Sequence, residues 1–430
     1  MPLQIRRFLF FIVLLAIIVR LGMVWLNYQS DPSYFHNDFE EVALQVADSD
    51  VPYQNRFGSE LSNVAYALVC SGEGLANPFG GNTGPTGWAS PGMVLLYALA
   101  FKLFGCFSTG SILFMFSLAL CLSVATIILI FHVCLRLFNS TKIACVASFL
   151  YAFDPQDVLI FKKTGQQDFN VFPFLFLLCF FLFLRCLRSR SVVDRLLFGF
   201  VSGAAMLCNP VFVLPVSACC LYYVIINRRS VMRAAREMAV VALMCALLVS
   251  PYIVYQYQQL HTWSFVKSNG LFELYLGNVP DFEGVLTLDL FRTHHPMMNS
   301  DEYRAYRDMG EKAYVHSKMT VFLDTFDPVR FVSLSVRRFM YFFFLFPGLQ
   351  RGSLAQHLVY SLRGLALIVY AFVFFRRLRS IDALVYAYIF AYALPFFFMG
   401  MMYRYSFPIV PLSAILGACL VCSCRSPGNR

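Results

Sequence analysis

Runs of about twenty apolar residues recur along the whole chain, and they limit more than any other feature how it can fold. A bilayer offers no water to the backbone, so a chain built from such runs must form helices that satisfy their own hydrogen bonds. The composition agrees, because 59% of the 430 residues are hydrophobic and only 13% are charged, whereas about a quarter of the residues of a soluble domain are charged. The sequence therefore predicts an all-α polytopic membrane protein with about ten to twelve transmembrane helices.

The placement of Lys and Arg predicts which segments lie on each side of the membrane. Basic residues are enriched in the loops on the cytoplasmic side. Residues 28–90 carry one basic residue, Arg56, against eight acids, so we expect this segment outside. Arg6 and Arg7 precede an apolar run that is too long for a signal peptide and lacks a small-residue cleavage site, which predicts an uncleaved anchor that starts in the cytoplasm. Because the other basic residues also cluster at the ends of apolar runs, the net charge of +10 indicates topology signals and no nucleic-acid partner.

This topology divides the chain into three regions. We expect a transmembrane catalytic core at residues 1–257, with a first outer loop at 28–110 and a second outer loop at 162–168. A long outer, periplasmic loop at 258–330 and C-terminal transmembrane helices at 331–430 follow. The outer loops then share one face of the membrane, and we expect the functional site there.

Three local patterns refine this division. Asn209 and Pro210 interrupt a long apolar run and predict a structural break between two short spans. The stretch 91–104 is short for a span and the stretch 331–347 is amphipathic, so we expect both in the membrane interface.

The fourteen cysteines lie mostly within apolar runs, and we interpret them as small apolar residues. Cys70 and Cys106 both fall in the first outer loop, where an oxidising environment would allow a disulfide. Their spacing alone does not decide whether they meet.

Residues 57–92 form the largest stretch before residue 255 that is not a continuous apolar run. Its first part repeats apolar residues at the three-four spacing of one helix face, namely Leu61, Val64, Ala65 and Leu68. Gly72 and Gly74 then end the pattern, and a turn-rich segment follows. The stretch therefore predicts a short amphipathic helix that begins with one acid, Glu60.

The same stretch, FGSELSNVAYALVCSGEGLANPFGGNTGPTGWASPG, followed by LLYALAFKLFG, resembles the first outer loop of membrane glycosyltransferases of the GT-C superfamily. Relatives in that superfamily include the protein O-mannosyltransferases and the lipid A aminoarabinose transferase. Later stretches resemble, in the same order, its second outer loop, a Gly-rich span, a later outer loop and the last span: KKTGQQDFNVFPFLFLL, GFVSGAAMLCNPVFVLP, SPYIVYQYQQLHTWSFVKSNGLFELYLGN and MYRYSFPIVPLSAILGA. The chain departs from the family pattern in having Glu60 alone where Asp or Asp-Glu is usual, and Ser90-Pro91 where a proline pair is usual.

The resemblance implies a GT-C-like fold and the transfer of a sugar from a polyprenyl-phosphate donor to an acceptor on the outer face. In such a reaction the carboxylate of an acidic residue acts as the base. It removes the proton of the acceptor hydroxyl on the side of the sugar opposite the leaving phosphate. The resemblance gives Glu60 this role, and Asp38 in the acidic segment just upstream is the alternative base. The simpler interpretation of Glu60 is an acid at a helix start, where the helix dipole favours it.

Three basic residues are candidates for binding the donor phosphate. Arg404 lies among tyrosines at the outer end of the last span and can offer a bidentate guanidinium. Its alternative role is an interfacial arginine in an aromatic belt. Lys162 and Lys163 lie outside against the positive-inside rule, which indicates an anionic partner, either a donor phosphate or a lipid headgroup.

A metal site is left open by the sequence. The resemblance allows Asp168 in the second outer loop to bind a divalent cation together with Glu60, or to orient the acceptor; its alternative role is a helix N-cap. His294 and His295 are adjacent and lack the spacing of two ligands on one helix face. No cofactor is certain, and a divalent metal is a possibility.

The polar segment DEYRAYRDMGEKAY has acids and bases three to four residues apart, which predicts a solvated helix. No part of the sequence resembles a P-loop, a dinucleotide fingerprint or a nucleophile elbow.

We therefore expect a multi-pass glycosyltransferase of the hexosyl or pentosyl class in a bacterial inner membrane, acting on a lipid, glycan or protein of the cell envelope among membrane lipids. The alternatives are a secondary transporter or flippase of a lipid-linked or amphipathic substrate, and a catalytically inactive scaffold. A transporter needs ionisable residues near the middle of the bilayer. The predicted spans look nearly free of such residues, which favours the enzyme.

Overall fold

Long apolar helices form the body of the protein in this computed structural model, which describes residues 3–30, 60–161, 170–189, 191–280, 282–345, 354–374 and 380–423. The helices up to residue 260 are α1 (Leu3–Ser30), α2 (Glu60–Tyr66), α3 (Pro91–Phe104), α4 (Thr109–Phe138), α5 (Thr141–Ala152), α6 (Pro155–Ile160), α7 (Val171–Arg188), α8 (Val192–Cys208), α9 (Val213–Ile226) and α10 (Val231–Leu260). The later helices are α11 (Gly270–Leu276), α12 (Leu288–His294), α13 (Ser300–Met309), α14 (Glu311–Asp324), α15 (Pro328–Phe343), α16 (Leu354–Phe374), α17 (Ser380–Ala393) and α18 (Val410–Ser423). The prediction of an all-α protein is confirmed.

Eight stretches of the described chain are long and apolar enough to cross a membrane, namely Leu3–Gln29, Thr109–Phe138, Thr141–Ile160, Val171–Arg188, Arg228–Leu260, His357–Phe374, Ser380–Phe397 and Arg404–Cys422. Two further apolar helices, Pro91–Phe104 and Pro210–Ile226, are shorter. The protein is therefore an integral, multi-pass membrane protein. The count of ten to twelve transmembrane helices stays a prediction, because length and composition alone do not show which of the shorter helices cross.

Two proline-associated breaks shape the bundle. Helix α8 ends at Cys208, and the side-chain oxygen of Asn209 accepts a hydrogen bond from the backbone N–H of Val211 at 3.1 Å. This capped turn confirms the break predicted at Asn209 and Pro210. Between α5 and α6, Asp154 caps the new helix in the same way by accepting from the backbone N–H of Gln156 at 2.9 Å.

A small-residue stripe brings α8 against α10. Gly199 and Gly203 are four residues apart on one face of α8. A Cβ atom built on Gly199 would lie 2.9 Å from the carbonyl oxygen of Val241, and one on Gly203 would lie 3.2 Å from the Cα of Cys245. Only glycine allows the two helices to approach this closely, which is the packing that membrane helices commonly use.

Ionisable side chains lie inside the bundle, so the expectation that the spans are nearly free of them was wrong. Arg20 of α1 is fully buried and forms an ion pair with Asp157 of α6. The carboxylate of Asp157 also accepts hydrogen bonds from Ser123 at 2.7 Å, Tyr151 at 3.0 Å and Asn170 at 2.8 Å. A hydropathy average over a span cannot reveal such a pair, because its two members come from different helices and compensate each other only after folding.

Residues 261–330 fold into helices α11 to α14 and the start of α15, and we call this part of the chain the cap. Its segment DEYRAYRDMGEKAY is not the single solvated helix that was predicted. Gly310, with a φ of 75°, separates α13 from α14. Tyr303, Tyr306 and Tyr314 are buried on the inner face. The spacing of charges describes only the outer face of these helices, whereas their tyrosines pack inward.

Helix α15 is amphipathic, as the stretch 331–347 suggested. Val329, Val332 and Val336 are exposed along one side, whereas Arg338 and Phe342 are buried on the other. Its position in the membrane interface stays a prediction.

The cysteines behave as two classes. Cys134, Cys179 and Cys219 are buried in the apolar core, which confirms the interpretation of such residues as small apolar side chains. Cys70 and Cys106 form a disulfide with their Cα atoms 6.7 Å apart.

Candidate active site

Glu60 is the first described residue of helix α2, and the loop after the helix fixes its orientation. The helix continues into a π-helical turn at Ala67–Ser71, which ends at Gly72 with a φ of 75°. The Cys70–Cys106 disulfide ties this turn to the segment that precedes α4. The side chain of Asn63 donates a hydrogen bond to the carbonyl oxygen of Pro78 at 3.2 Å. Because α2 is held in its middle and at its far end, its first residue has a defined position.

The buried carboxylate of Glu311 joins this loop to the cap. It accepts hydrogen bonds from the hydroxyl of Thr86 at 2.5 Å, the backbone N–H of Gly87 at 2.9 Å and the hydroxyl of Tyr306 at 2.7 Å. The hydroxyl of Ser268 also donates to it. A carboxylate with four donors from three segments has its hydrogen-bonding capacity filled, so Glu311 is a fastening residue.

A cluster of aromatic rings surrounds the side chain of His295. The ring centroids of Phe291, Phe272, Phe79 and Trp88 lie 4.7, 5.3, 5.8 and 6.0 Å from the centroid of its imidazole. Phe291 stacks on the imidazole, and the planes of the other three rings are steeply inclined to the plane of the imidazole. This cluster joins the loop after α2 to helices α11 and α12 and holds the imidazole in one orientation.

His295 faces Glu60. Its Nε2 atom lies 3.8 Å from Oε1 of Glu60, whose side chain is 25% exposed. The Nδ1 atom of His295 accepts a hydrogen bond from the backbone N–H of Met297 at 3.0 Å. Burial, with a contribution from the positive charge of Lys267, lowers the pKa of His295 to about 3. The imidazole is therefore neutral near pH 7, and its contact with Glu60 is not an ion pair despite the short separation.

A second carboxylate, Glu273 of α11, lies in the same region. The side chain of Asn269 donates to its Oε1 atom at 3.2 Å. Burial raises the pKa of Glu273, Lys267 opposes that rise, the negative charge of Glu60 adds to it, and Arg404 opposes it. The charges of Lys267, Glu60 and Arg404 thus all reach Glu273.

Arg404 reaches this region from the C-terminal part of the chain. It lies in the 3₁₀ turn Tyr403–Ile409, with its guanidinium carbon 5.7 Å from the ring centroid of Tyr405. Met401 lies just before this turn. Its carbonyl oxygen accepts a hydrogen bond from the backbone N–H of Leu286 at 2.9 Å, and it forms an isolated bridge with Val285. The cap therefore contacts the turn that carries Arg404.

A buried arginine links the same two parts of the chain. Arg338 of α15 donates to the carbonyl oxygen of Phe397 at 3.1 Å and to the side-chain oxygen of Asn278 at 3.0 Å, and it also donates to the carbonyl oxygen of Gly277. Gly277 ends α11, which carries Glu273. Arg338 thereby fixes the helix of Glu273 relative to the turn before Arg404.

Four residues predicted for the site, Asp38, Lys162, Lys163 and Asp168, lie outside the described residues. Their roles stay predictions. Of the predicted residues that the structure describes, Glu60 and Arg404 are far apart in sequence, but the charges of both act on Glu273.

The described ranges contain no group of three or more His, Cys, Asp or Glu side chains placed to hold a metal ion. His294 and His295 point in different directions, since His294 Nδ1 lies 3.3 Å from the hydroxyl of Tyr275 whereas His295 faces Glu60. The geometry around Glu60 therefore does not fit a metal from these residues alone. The pairing of Glu60 with Asp168 stays a prediction.

Sequence reasoning missed Lys267, Glu273, His295 and Glu311 as members or supports of the site. The stretch WSFVKSNGLFELYLGN contains the first two, and its signal is a single base and a single acid among aromatic and apolar residues. His295 and Glu311 gave no comparable signal, because their partners Glu60 and Gly87 are more than two hundred positions away.

Part of the chain matches a known protein family. Residues 89–255 match the family model described as dolichyl-phosphate-mannose-protein mannosyltransferase. No curated protein sequence matches the chain. The matched segment runs from just before α3 into α10 and adjoins the loop that follows α2.

Solved structures of archaeal oligosaccharyltransferases share the fold. AglB from Archaeoglobus fulgidus, in complex with an inhibitory peptide and a dolichol-phosphate, gives a TM-score of 0.56 at 12% identity, over 98% of this chain and 51% of AglB. The apo form of the Archaeoglobus fulgidus enzyme gives 0.53 at 13% identity, over 96% of this chain and 50% of that one. Its complex with zinc and sulfate gives 0.54 at 14% identity, over 96% and 49%.

The chain thus spans about half the length of these oligosaccharyltransferases. At such low identity the likeness establishes the fold, and the family segment agrees with it. The chain therefore has the fold of these oligosaccharyltransferases, and its residues 89–255 are similar to the dolichyl-phosphate-mannose-protein mannosyltransferase family.

Proposed function

We propose that the protein transfers a hexose or pentose from a polyprenyl-phosphate-linked donor to a lipid, glycan or protein acceptor of the cell envelope, on the outer face of a bacterial inner membrane. The observation that carries this proposal is that Glu60, Lys267 and Arg404, from three distant segments, all lie near enough to Glu273 for their charges to act on it. Two comparisons support it: the matching family is described by a dolichyl-phosphate-mannose donor, and AglB was solved with a dolichol-phosphate.

Glu60 acts as the general base in this proposal. The acceptor hydroxyl oxygen attacks the anomeric carbon, the bond from that carbon to the phosphate oxygen breaks, and the hydroxyl proton passes to the Glu60 carboxylate. The polyprenyl phosphate leaves with the bonding electrons, and the anomeric configuration inverts. The partial exposure of Glu60, 25% for its side chain, leaves one side of the carboxylate open to an acceptor.

Arg404 and Lys267 stabilise the leaving phosphate. An arginine offers two parallel N–H donors to phosphate oxygens, and a lysine adds a point charge. Both cations also act on Glu273, because their positive charges oppose the rise in its pKa that burial causes. Lys162 and Lys163 also bind the donor phosphate in this proposal.

Asp38 and Asp168 enter as alternatives. Either carboxylate would replace Glu60 as the base if it reached the same acceptor hydroxyl. In this proposal residues 1–257 and 331–430 form the transmembrane regions, and 258–330 is an outer loop that covers the site.

The test is sugar transfer in membranes with equal amounts of wild type and variants. The donors are radiolabelled polyprenyl-phosphate mannose, glucose and arabinose, and the acceptors are total envelope lipids and proteins. We expect Glu60→Gln to lower transfer by roughly 10²–10⁴-fold, the usual contribution of a general base. Glu283→Gln is the matched control, because it removes the charge of an exposed carboxylate of the cap.

Two outcomes would redirect the proposal. Undiminished transfer by Glu60→Gln, with loss in Asp38→Asn or Asp168→Asn, would move the base to that residue. No transfer by the wild type with any donor would reject the glycosyltransferase.

The buried Arg20–Asp157 pair is the specific observation that favours a transporter or flippase. A flippase would move a fluorescent polyprenyl phosphate across proteoliposomes without transferring a sugar. Under this alternative, Glu60→Gln would move the lipid normally, whereas Asp157→Asn would not.

A further inference from the structure

The side chain of His295 faces Glu60, and its role there depends on the proposed function, in which Glu60 is the general base. We infer that His295 is a positioning residue for Glu60: its Nε2–H group holds one carboxylate oxygen, so that the other oxygen is presented to the acceptor hydroxyl. His295 touches neither donor nor acceptor in this arrangement.

The tautomer of His295 follows from its hydrogen bonds. Its Nδ1 atom accepts from the backbone N–H of Met297 at 3.0 Å, so this nitrogen carries a lone pair. A neutral imidazole has one protonated nitrogen, which must then be Nε2. This is the atom that faces Oε1 of Glu60 at 3.8 Å. A shift of less than one ångström, such as substrate binding commonly causes, closes this separation to a hydrogen bond.

The surroundings keep the ring in place. Phe291 stacks on it, and Phe79, Phe272 and Trp88 enclose it, so the imidazole cannot turn over to exchange its two nitrogens. The side chain of His295 is 3% exposed, which excludes competing water from most of its surface. A donor fixed in this way costs little reorganisation when the reaction occurs.

The protonation state matters for the role. The groups that face His295 are the carboxylate of Glu60 and, at longer range, the ammonium of Lys267. Burial disfavours a charged imidazole, and Lys267 disfavours it further. A neutral N–H donor orients the Glu60 carboxylate without neutralising the negative charge that a base requires, whereas an imidazolium would form an ion pair and weaken it. The protonated Nε2 also means that His295 does not accept the acceptor proton itself.

Two substitutions separate the two nitrogens of the ring. In His295→Gln the side-chain amide N–H₂ can take the position of Nε2 and donate to Glu60. In His295→Asn the side-chain oxygen can take the position of Nδ1 and accept from Met297, but no donor reaches Glu60. Both variants lose the stacked ring, so we expect similar losses of thermal stability and a clear difference in catalysis.

The first measurement is the kinetics of sugar transfer with the most active donor of the panel. We expect His295→Gln to keep a kcat about tenfold higher than His295→Asn, with equal KM for the donor in both. A kcat that simply follows the thermal stability of each variant, or an active His295→Asn, would overturn the positioning role.

The second measurement needs no substrate. The chain has 7 histidines, and solid-state NMR of ¹⁵N-histidine protein should show one neutral imidazole, protonated at Nε2, that persists down to pH 5. Its signals should vanish in His295→Asn, and its Nε2 signal should move in Glu60→Gln while its Nδ1 signal stays in place. An Nε2 signal that has the same chemical shift in Glu60→Gln and in wild type would contradict the proposed contact.

The two measurements distinguish the failure of this inference from the failure of the proposed function. Transfer that requires Glu60 but is equal in the two His295 variants rejects the positioning role and leaves the glycosyltransferase intact. Absence of transfer in the wild type with every donor rejects the glycosyltransferase and the positioning role together.

Discussion

Glu311 accepts a hydrogen bond from the backbone N–H of Gly87 at 2.9 Å, across 224 positions of the sequence. The same carboxylate accepts from Thr86, Ser268 and Tyr306, so one buried side chain connects the loop after α2 to two parts of the cap. The arrangement of the candidate active site depends on this connection, because Lys267 is adjacent to Ser268 and Glu60 begins the helix before the loop.

We expect Glu311→Ala to destabilise the protein by roughly 2–4 kcal/mol, since it leaves buried donors without an acceptor. Thermal unfolding in detergent and limited proteolysis of residues 261–330 measure the effect. Glu283→Ala is the control, because it removes an exposed carboxylate from the same cap. Equal stability of the two variants would show that the four hydrogen bonds do not fasten the cap.

Gly277→Ala should increase the separation between the cap and the turn that precedes Arg404. A Cβ atom at Gly277 would lie 2.4 Å from the backbone nitrogen of Gly400 and 2.7 Å from the carbonyl carbon of Met399, and backbone atoms cannot yield as a flexible side chain can. We expect loss of sugar transfer together with a fall in thermal stability. Gly270→Ala on the same helix is the control, since its Cβ meets nothing within 4 Å. Normal transfer by Gly277→Ala would refute the close contact.

The buried His295 should make stability depend on pH. Its pKa is lowered to about 3 in the folded protein, against about 6.5 when unfolded. Between these values the unfolded chain binds a proton that the folded chain does not, so stability falls as the pH falls from about 6.5 toward 3, by up to about 1.4 kcal/mol per pH unit.

Comparison with His295→Asn isolates this effect. Glu273, whose pKa is raised, contributes with the opposite sign, and the difference between wild type and variant removes its contribution. Thermal melting temperatures from pH 7 to pH 4.5 should fall less steeply in His295→Asn than in wild type. His261→Asn is the control, because His261 is exposed and has a φ of 51°, which asparagine tolerates. Parallel curves for wild type and His295→Asn would contradict a buried neutral imidazole.

Asp157→Asn should destabilise the bundle more than the double variant with Arg20→Met. The single substitution leaves the Arg20 guanidinium buried without its counter-charge, which typically costs about 3–5 kcal/mol, whereas the double variant removes both charges. A double-mutant cycle on detergent-solubilised protein measures the coupling. Additive effects of the two substitutions would show that the ion pair has no net role in stability.

The sequence predicted the helices well because their signals are local. Continuous apolar runs predicted the long helices, Asn209 and Pro210 predicted a break, and the apolar spacing after Glu60 predicted helix α2. Each of these features depends on residues within a few turns of one another. The Cys70–Cys106 disulfide was not predicted in this way, because the spacing of the two cysteines does not decide whether they meet.

Only part of the candidate site was predicted, because the rest depends on contacts between residues that are far apart in the sequence. Glu60 and Arg404 drew attention through their local context, but their relation to Lys267, Glu273 and His295 arises from tertiary packing across the length of the chain. The charge pattern of α13 and α14 predicted a solvated helix because it reports only the outward face. The buried Arg20–Asp157 pair escaped hydropathy analysis because the two charges stand in separate segments and the sequence does not show that they pair.

The hydrogen bonds of Glu311 have a consequence for local motion. Three chain segments share one acceptor residue, and releasing any of them leaves a buried carboxylate short of donors. Partial opening is therefore unfavourable, and the loop after α2 and the cap should open together as one cooperative unit. In hydrogen exchange, the amides of Gly87 and Trp88 and those of α13 would then exchange slowly and at a common rate.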